Sequence, residues 1–150
     1  MKLRNSLTIL MITTSLFGCT TSSNHGVTVP LVATPHNAGQ IGNVALASWD
    51  KQTGLSFFIS GIPNGTSLPL RVYTFINKGS CQQPGPVAYA MNDQTNTERV
   101  ASSGWSFSRT APVATSILLS GGYSIVVRSA PEDGNADLFC GDIKAGDSAK

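Results

Sequence analysis

Histidine is almost missing from this chain: of 150 residues only His25 and His36 are histidines, and none follows position 36. That removes imidazole metal sites from the body of the sequence, because such sites need neutral imidazoles at fixed geometry. A Ser–His–Asp triad would have to rely on one of those two early residues. Glutamate occurs only as Glu98 and Glu132, so paired-carboxylate chemistry would have to draw on scattered aspartates. C-x-x-C, G-x-S-x-G, H-E-x-x-H and phosphate-loop patterns are all missing. Charge is sparse as well, at 12% of residues. Two of the ten basic residues, Lys2 and Arg4, lie at the extreme N-terminus, and the eight that remain balance eight acidic ones. A neutral body with scattered cations excludes a nucleic-acid groove, which needs clustered charge to neutralise phosphates. The 41% hydrophobic content excludes a disordered chain, and the length suits one domain.

What is present begins with an address. Met1-Lys2-Leu3-Arg4 is a short basic start, followed by an apolar run from Leu7 to Phe17 broken only by Thr and Ser. The run is too short to span a hydrocarbon core, which takes about 20 helical residues, so it reads as a secretory signal. Leu16-Phe17-Gly18-Cys19 resembles the bacterial lipobox. The resemblance implies cleavage after residue 18 and a lipid on Cys19, with palmitate among its acyl chains. Each buried acyl CH2 contributes about 0.8 kcal/mol, and two or more chains make a stable anchor. Thr20 follows the cysteine, where inner-membrane lipoproteins commonly carry Asp, which implies the outer membrane of a bacterial cell envelope. Residues 19–26 are small and polar, as a solvated tether requires, and residues 27–150 form the domain.

With Cys19 lipidated, Cys81 and Cys140 remain, an even pair in an oxidising compartment. A disulfide is the natural assignment; two free buried thiols or half of a metal site are the alternatives. From residue 27 onward, β-branched and aromatic runs alternate with turn residues. The expected strands are Val27–Ala33, Val44–Trp49, Leu55–Ser60, Leu70–Asn77, Val87–Met91, Gly104–Ser108, Ser116–Leu119, Tyr123–Ser129 and Asp137–Ile143. Lys51–Gly54, Pro63–Gly65, Ser120–Gly122 and Glu132–Asn135 separate them. No long 3.6-residue apolar period predicts a helix. The fold class is all-β: an antiparallel Greek-key sandwich or barrel, immunoglobulin-like or of the kind named next.

Three segments carry a resemblance. Leu55–Gly65 looks like the strand and turn that precede the metal strand of Cu/Zn superoxide dismutases. Asn77-Lys78-Gly79-Ser80-Cys81 resembles the end of that family's H-x-H-E-x-G-x-C segment, and Gly134–Ile143 its G-N-A…A-C-G-x-I ending. The resemblance covers roughly residues 44–143 and implies an eight-stranded Greek-key barrel with the two cysteines bonded to each other. It also exposes what is gone. The copper-histidine positions hold Thr74, Ile76 and Arg128, and the substrate-guiding arginine corresponds to Asp137. The expectation is therefore a scaffold without metal or cofactor and without dismutase activity.

Contact residues are sought elsewhere. The weakly patterned stretch from Gln82 to Ala111 is the longest candidate binding loop. Trp105 lies within it, as an aromatic contact or, with Phe107, as one wall of the core. Arg71 and Arg128, if they converge, make an anion pocket; otherwise they are surface arginines. Asp133, Asn135 and Asp137 alternate as calcium ligands do, but Leu138 and Lys144 stand where such a loop needs Gly and Glu. The functional expectation is a non-enzymatic envelope lipoprotein, a binding or structural module whose partner is an envelope or host protein or a small anion. The alternative is a degenerate enzyme, redox or hydrolytic, using carboxylates at the vacated metal site.

Overall fold

The computed structural model describes residues 26–101 and 103–146. The signal segment, Cys19 and the tether up to His25 lie outside the described residues. Nine strands form one antiparallel sheet: β1 Val27–Ala33, β2 Ile41–Trp49, β3 Gln52–Ile59, β4 Val72–Gly79, β5 Pro84–Ala90, β6 Glu98–Arg99, β7 Trp105–Ala111, β8 Tyr123–Ser129 and β9 Asp137–Ile143. Their spatial order is β5-β4-β8-β9-β1-β2-β3-β7-β6, and the sheet curls into a half-barrel. The last strand returns beside the first, ahead of the consecutive β1-β2-β3 run, which is Greek-key connectivity. Two separate layers are not needed, because the one sheet folds over its own core.

Alternation puts the core together. Val29 and Leu31, Val44 and Leu46, Leu55, Phe57 and Ile59, and Val72 and Ile76 point inward from the first four strands. Ile125 and Val127 close over them from β8. Phe57 stacks on Phe107, with ring centroids 4.7 Å apart. The seam where β1 meets β9 is short, with only the Val32↔Cys140 and Ala33↔Phe139 pairs. Two residues shape that seam. Pro30 has no N–H to give a ladder, and Gly141 lets the backbones close, since a Cβ there would sit 2.5 Å from the Pro30 carbonyl oxygen.

Strands β1, β8 and β9 have the expected bounds. The others differ at their ends. β2 and β3 run on to a two-residue turn at Asp50-Lys51, where Asp50 takes φ 55°, so Gln52–Gly54 belong to a strand and not to a turn. Ser116–Leu119 is not a strand; Thr115–Leu119 is a one-turn helix, α1. Its inward positions are Thr115 and Leu118, three apart, and its tail is tied by the Ser120 hydroxyl on the Ile117 carbonyl. A run as short as Ile117-Leu118-Leu119 carries no period that separates helix from strand. Within Gln82–Ala111, β5 and β7 overlap the expected strands Val87–Met91 and Gly104–Ser108, and the two-residue β6 is added to them.

Candidate functional site

Cys81 and Cys140 are bonded, with Cα atoms 5.9 Å apart. The bond ties the β4–β5 turn to the middle of β9. Around it the turn is further fixed: the Cys81 N–H donates to Asp142 Oδ1 at 2.8 Å, Gly79 N–H to the Gly122 carbonyl at 2.8 Å, and Gln83 N–H to the Ser80 hydroxyl at 3.1 Å. Gly79 holds φ +86°, and a Cβ there would meet the Gln83 carbonyl oxygen at 2.4 Å. Only glycine fits that position. Beside this braced turn lies a cleft of about 740 Å³, floored by Leu119, Tyr123 and Ile143 and rimmed by Gln82, Gln83 and Lys144. The volume falls in the range of small-ligand sites.

A second feature lies at the open side of the half-barrel. From Met91 to Thr97 the chain runs along the edge of β4: Met91 N–H donates to the Thr74 carbonyl, Thr74 N–H to Asn92 Oδ1, and Val72 N–H to the Thr95 carbonyl. Arg109, on the inward phase of β7, reaches across. Its Nη2 donates to the Val72 and Asn96 carbonyls at 3.3 Å each, and its Nη1 to the Ser108 carbonyl at 2.8 Å and to Asn96 at 3.4 Å. The guanidinium lies 4.8 Å from the Phe107 ring centroid, the residue as a whole is 6% exposed, and its Nε has no partner among the described residues. Desolvation by burial lowers its pKa below the ordinary arginine value. No carboxylate pairs with it among the described residues. Arg109 is thus a buried cation spent on backbone carbonyls, closing the gap between β4 and β7.

The residues singled out from sequence are dispersed. Arg71 pairs with Glu132, and Arg128 Nε donates to Asp137 Oδ1 at 2.6 Å while its guanidinium lies over Phe75. Each guanidinium therefore has a carboxylate of its own, and they do not make a joint anion pocket. Thr74 and Ile76 point into the core, both fully buried, whereas Arg128 lies across from Tyr73 on the outer face. The three positions that the dismutase resemblance equates with copper ligands do not share a face. Trp105 packs against the core with the Arg99 guanidinium 4.6 Å from its ring centroid. Asp133 Oδ1 accepts from Ser67 N–H and Asp137 Oδ1 from Arg128 Nε, so both carboxylates of the alternating series already have partners. Among the described residues no three His, Cys, Asp or Glu side chains cluster as metal ligands would. Of the expected loop, Gln82 and Gln83 alone reach the large cleft; the rest of its lining comes from other elements.

Sequence reasoning overlooked Arg109, Tyr123 and Asp142. The signals were there. Trp105, Phe107, Arg109 and Ala111 are in phase on one strand, so an arginine falls on the core side. Asp142 lies two residues after Cys140, and a bonded pair brings its flanks together. Comparison of the chain with known family models, curated proteins and solved structures yields no match.

Proposed function

We propose that this chain is a bacterial envelope lipoprotein, anchored through Cys19, whose domain is a non-enzymatic binding module on a scaffold resembling Cu/Zn superoxide dismutase. One observation carries the reading. The positions where the resemblance requires copper ligands hold Thr74 and Ile76, sealed in the core, and Arg128, neutralised by Asp137 on the outer face. The cleft beside the disulfide lies elsewhere. Lys78 pairs with Tyr123 in the β4–β8 ladder and Tyr73 with Arg128, so the cleft and the Arg128 region are separated by about 16 Å along the strands. Its lining is of amides, a phenol, aliphatic groups and one charge of each sign in a braced frame, which suits recognition of a ligand.

The test has two arms. Intact-mass analysis of the full chain recovered from bacterial membranes should find an acylated Cys19 at the N-terminus, and Cys19→Ser should release the domain from the membrane fraction. Metal analysis and a superoxide assay on the same preparation should give no stoichiometric copper or zinc and no turnover. Stoichiometric copper with dismutase activity would overturn the binding-module reading, and an unprocessed N-terminus would overturn the anchor.

A further inference from the structure

We propose that the cleft beside the Cys81–Cys140 bond is a site for a neutral glycan; this rests on the binding-module reading and names its ligand class. Three properties of the cleft point there. The first is charge. Its wall carries one carboxylate, Asp142, and one ammonium, Lys144, so its charges sum to zero and no net charge selects an ion. Asp142 is already held by the Cys81 N–H through Oδ1, which leaves its second oxygen as an acceptor. The second property is the hydrogen-bonding inventory. Gln82 and Gln83 are consecutive and exposed on the rim. Each amide is both donor and acceptor, and a sugar with vicinal hydroxyls presents the same alternation. The third is the floor, where Leu119 and the half-buried Tyr123 provide an apolar patch over the buried Ile143. The face of a pyranose ring that carries only C–H groups matches such a patch, while its hydroxyls match the rim.

The frame strengthens the inference. Disulfide, Asp142 bond and the Gly79–Gly122 bond hold the glutamine-bearing turn in one shape before any ligand arrives. Weakly interacting neutral ligands depend on that, since ordering a loose loop consumes the small gain from each contact.

The experiment uses the full chain as a bacterial host processes it, purified in detergent, and isothermal titration with chitotetraose, maltotetraose, inorganic phosphate and a charged tetrapeptide. Saturable binding of at least one neutral oligosaccharide is expected, weakened at least tenfold in Gln82→Ala/Gln83→Ala. That double variant changes exposed side chains, and its melting temperature should match the parent. Arg71→Ala/Arg128→Ala should bind as the parent does. Three results overturn the proposal: no saturation by either sugar at millimolar concentration, sugar binding that survives the double glutamine change, or tighter binding of phosphate or of the tetrapeptide. Those results leave the binding-module reading standing where copper and dismutase activity are also lacking, so the two failures are separable.

Discussion

Arg109→Met is the most informative single change in the barrel. Methionine keeps an apolar stem against Phe107 and discards only the guanidinium. Replacing a buried ion pair by hydrophobes is often harmless, because both charged partners leave together. Here the partners are the carbonyls of Val72, Asn96 and Ser108, which belong to the backbone and stay behind. An abandoned buried acceptor costs about 1–3 kcal/mol. Two of these carbonyls, Val72 and Asn96, sit across the gap from β7, which gives about 2–6 kcal/mol before relief of the arginine's own desolvation. That relief is real, since burial lowers the guanidinium's pKa. The folded state disfavours the cation at every pH below its folded pKa, and the penalty fades only as pH rises through that value. Arginine stays protonated over the working range, so the effect should be constant between about pH 5 and 9. The expected net loss is about 3 kcal/mol, or about 10 °C in Tm for a domain of this size. Urea denaturation followed by circular dichroism measures it. Hydrogen exchange should localise it, with faster exchange of the Val72 and Met91 amides. A variant as stable as the parent, with those amides unchanged, would refute the argument that this side chain fastens the open side.

Four other changes test the frame. Reducing the Cys81–Cys140 bond, or making Cys81→Ser/Cys140→Ser, opens a loop of sequence separation 59 and should lower stability by about 4 kcal/mol in denaturant titration. Gly141→Ala should destabilise by about 1–3 kcal/mol through collision with the Pro30 carbonyl. Gly65→Ala, where nothing lies within 4 Å but φ is +86°, should cost about 1 kcal/mol from backbone strain alone; thermal melts of the pair separate crowding from conformation. Arg71→Ala removes an ion pair whose side chains are 46% and 42% exposed, and its effect on chemical denaturation should stay below about 1 kcal/mol.

The all-β class was legible because alternation and turn chemistry are local. Val27–Ala33 reads as a strand on its own: Val29 and Leu31 take one face, Thr28 and Pro30 the other. Ser116–Leu119 failed for the same reason in reverse. Its inward placement is set by Thr115, whose hydroxyl lies 2.9 Å from that of Thr53, 62 residues earlier, and no local pattern encodes such a contact. The Gln82–Ala111 stretch misled through composition. Its polar residues are ordered because their groups bond to β4 and to the residues just before it: Asn92 Oδ1 accepts from the Thr74 N–H, and Thr97 Oγ1 donates to the Leu70 carbonyl. Polarity marked a strand edge, not a loose loop.

The candidate site follows a different logic, since it was encoded in a covalent bond. Once Cys81 and Cys140 are joined, Ser80, Gln82 and Gln83 must lie near Gly141 and Asp142, whatever the remaining strands do. The cleft is the space that this pairing leaves against α1 and the start of β8, so its rim could be read from the cysteine flanks while its floor could not. Tyr123 and Leu119 reach it only because α1 folds as one helical turn and delivers β8 next to β4 in the Lys78↔Tyr123 register. A strand at Ser116–Leu119 would have advanced the chain by about 3.3 Å per residue instead of about 1.5 Å, carrying Leu119 away from the floor. The short helix therefore has a consequence beyond local structure: it sets the depth of the cleft, just as the disulfide sets its rim.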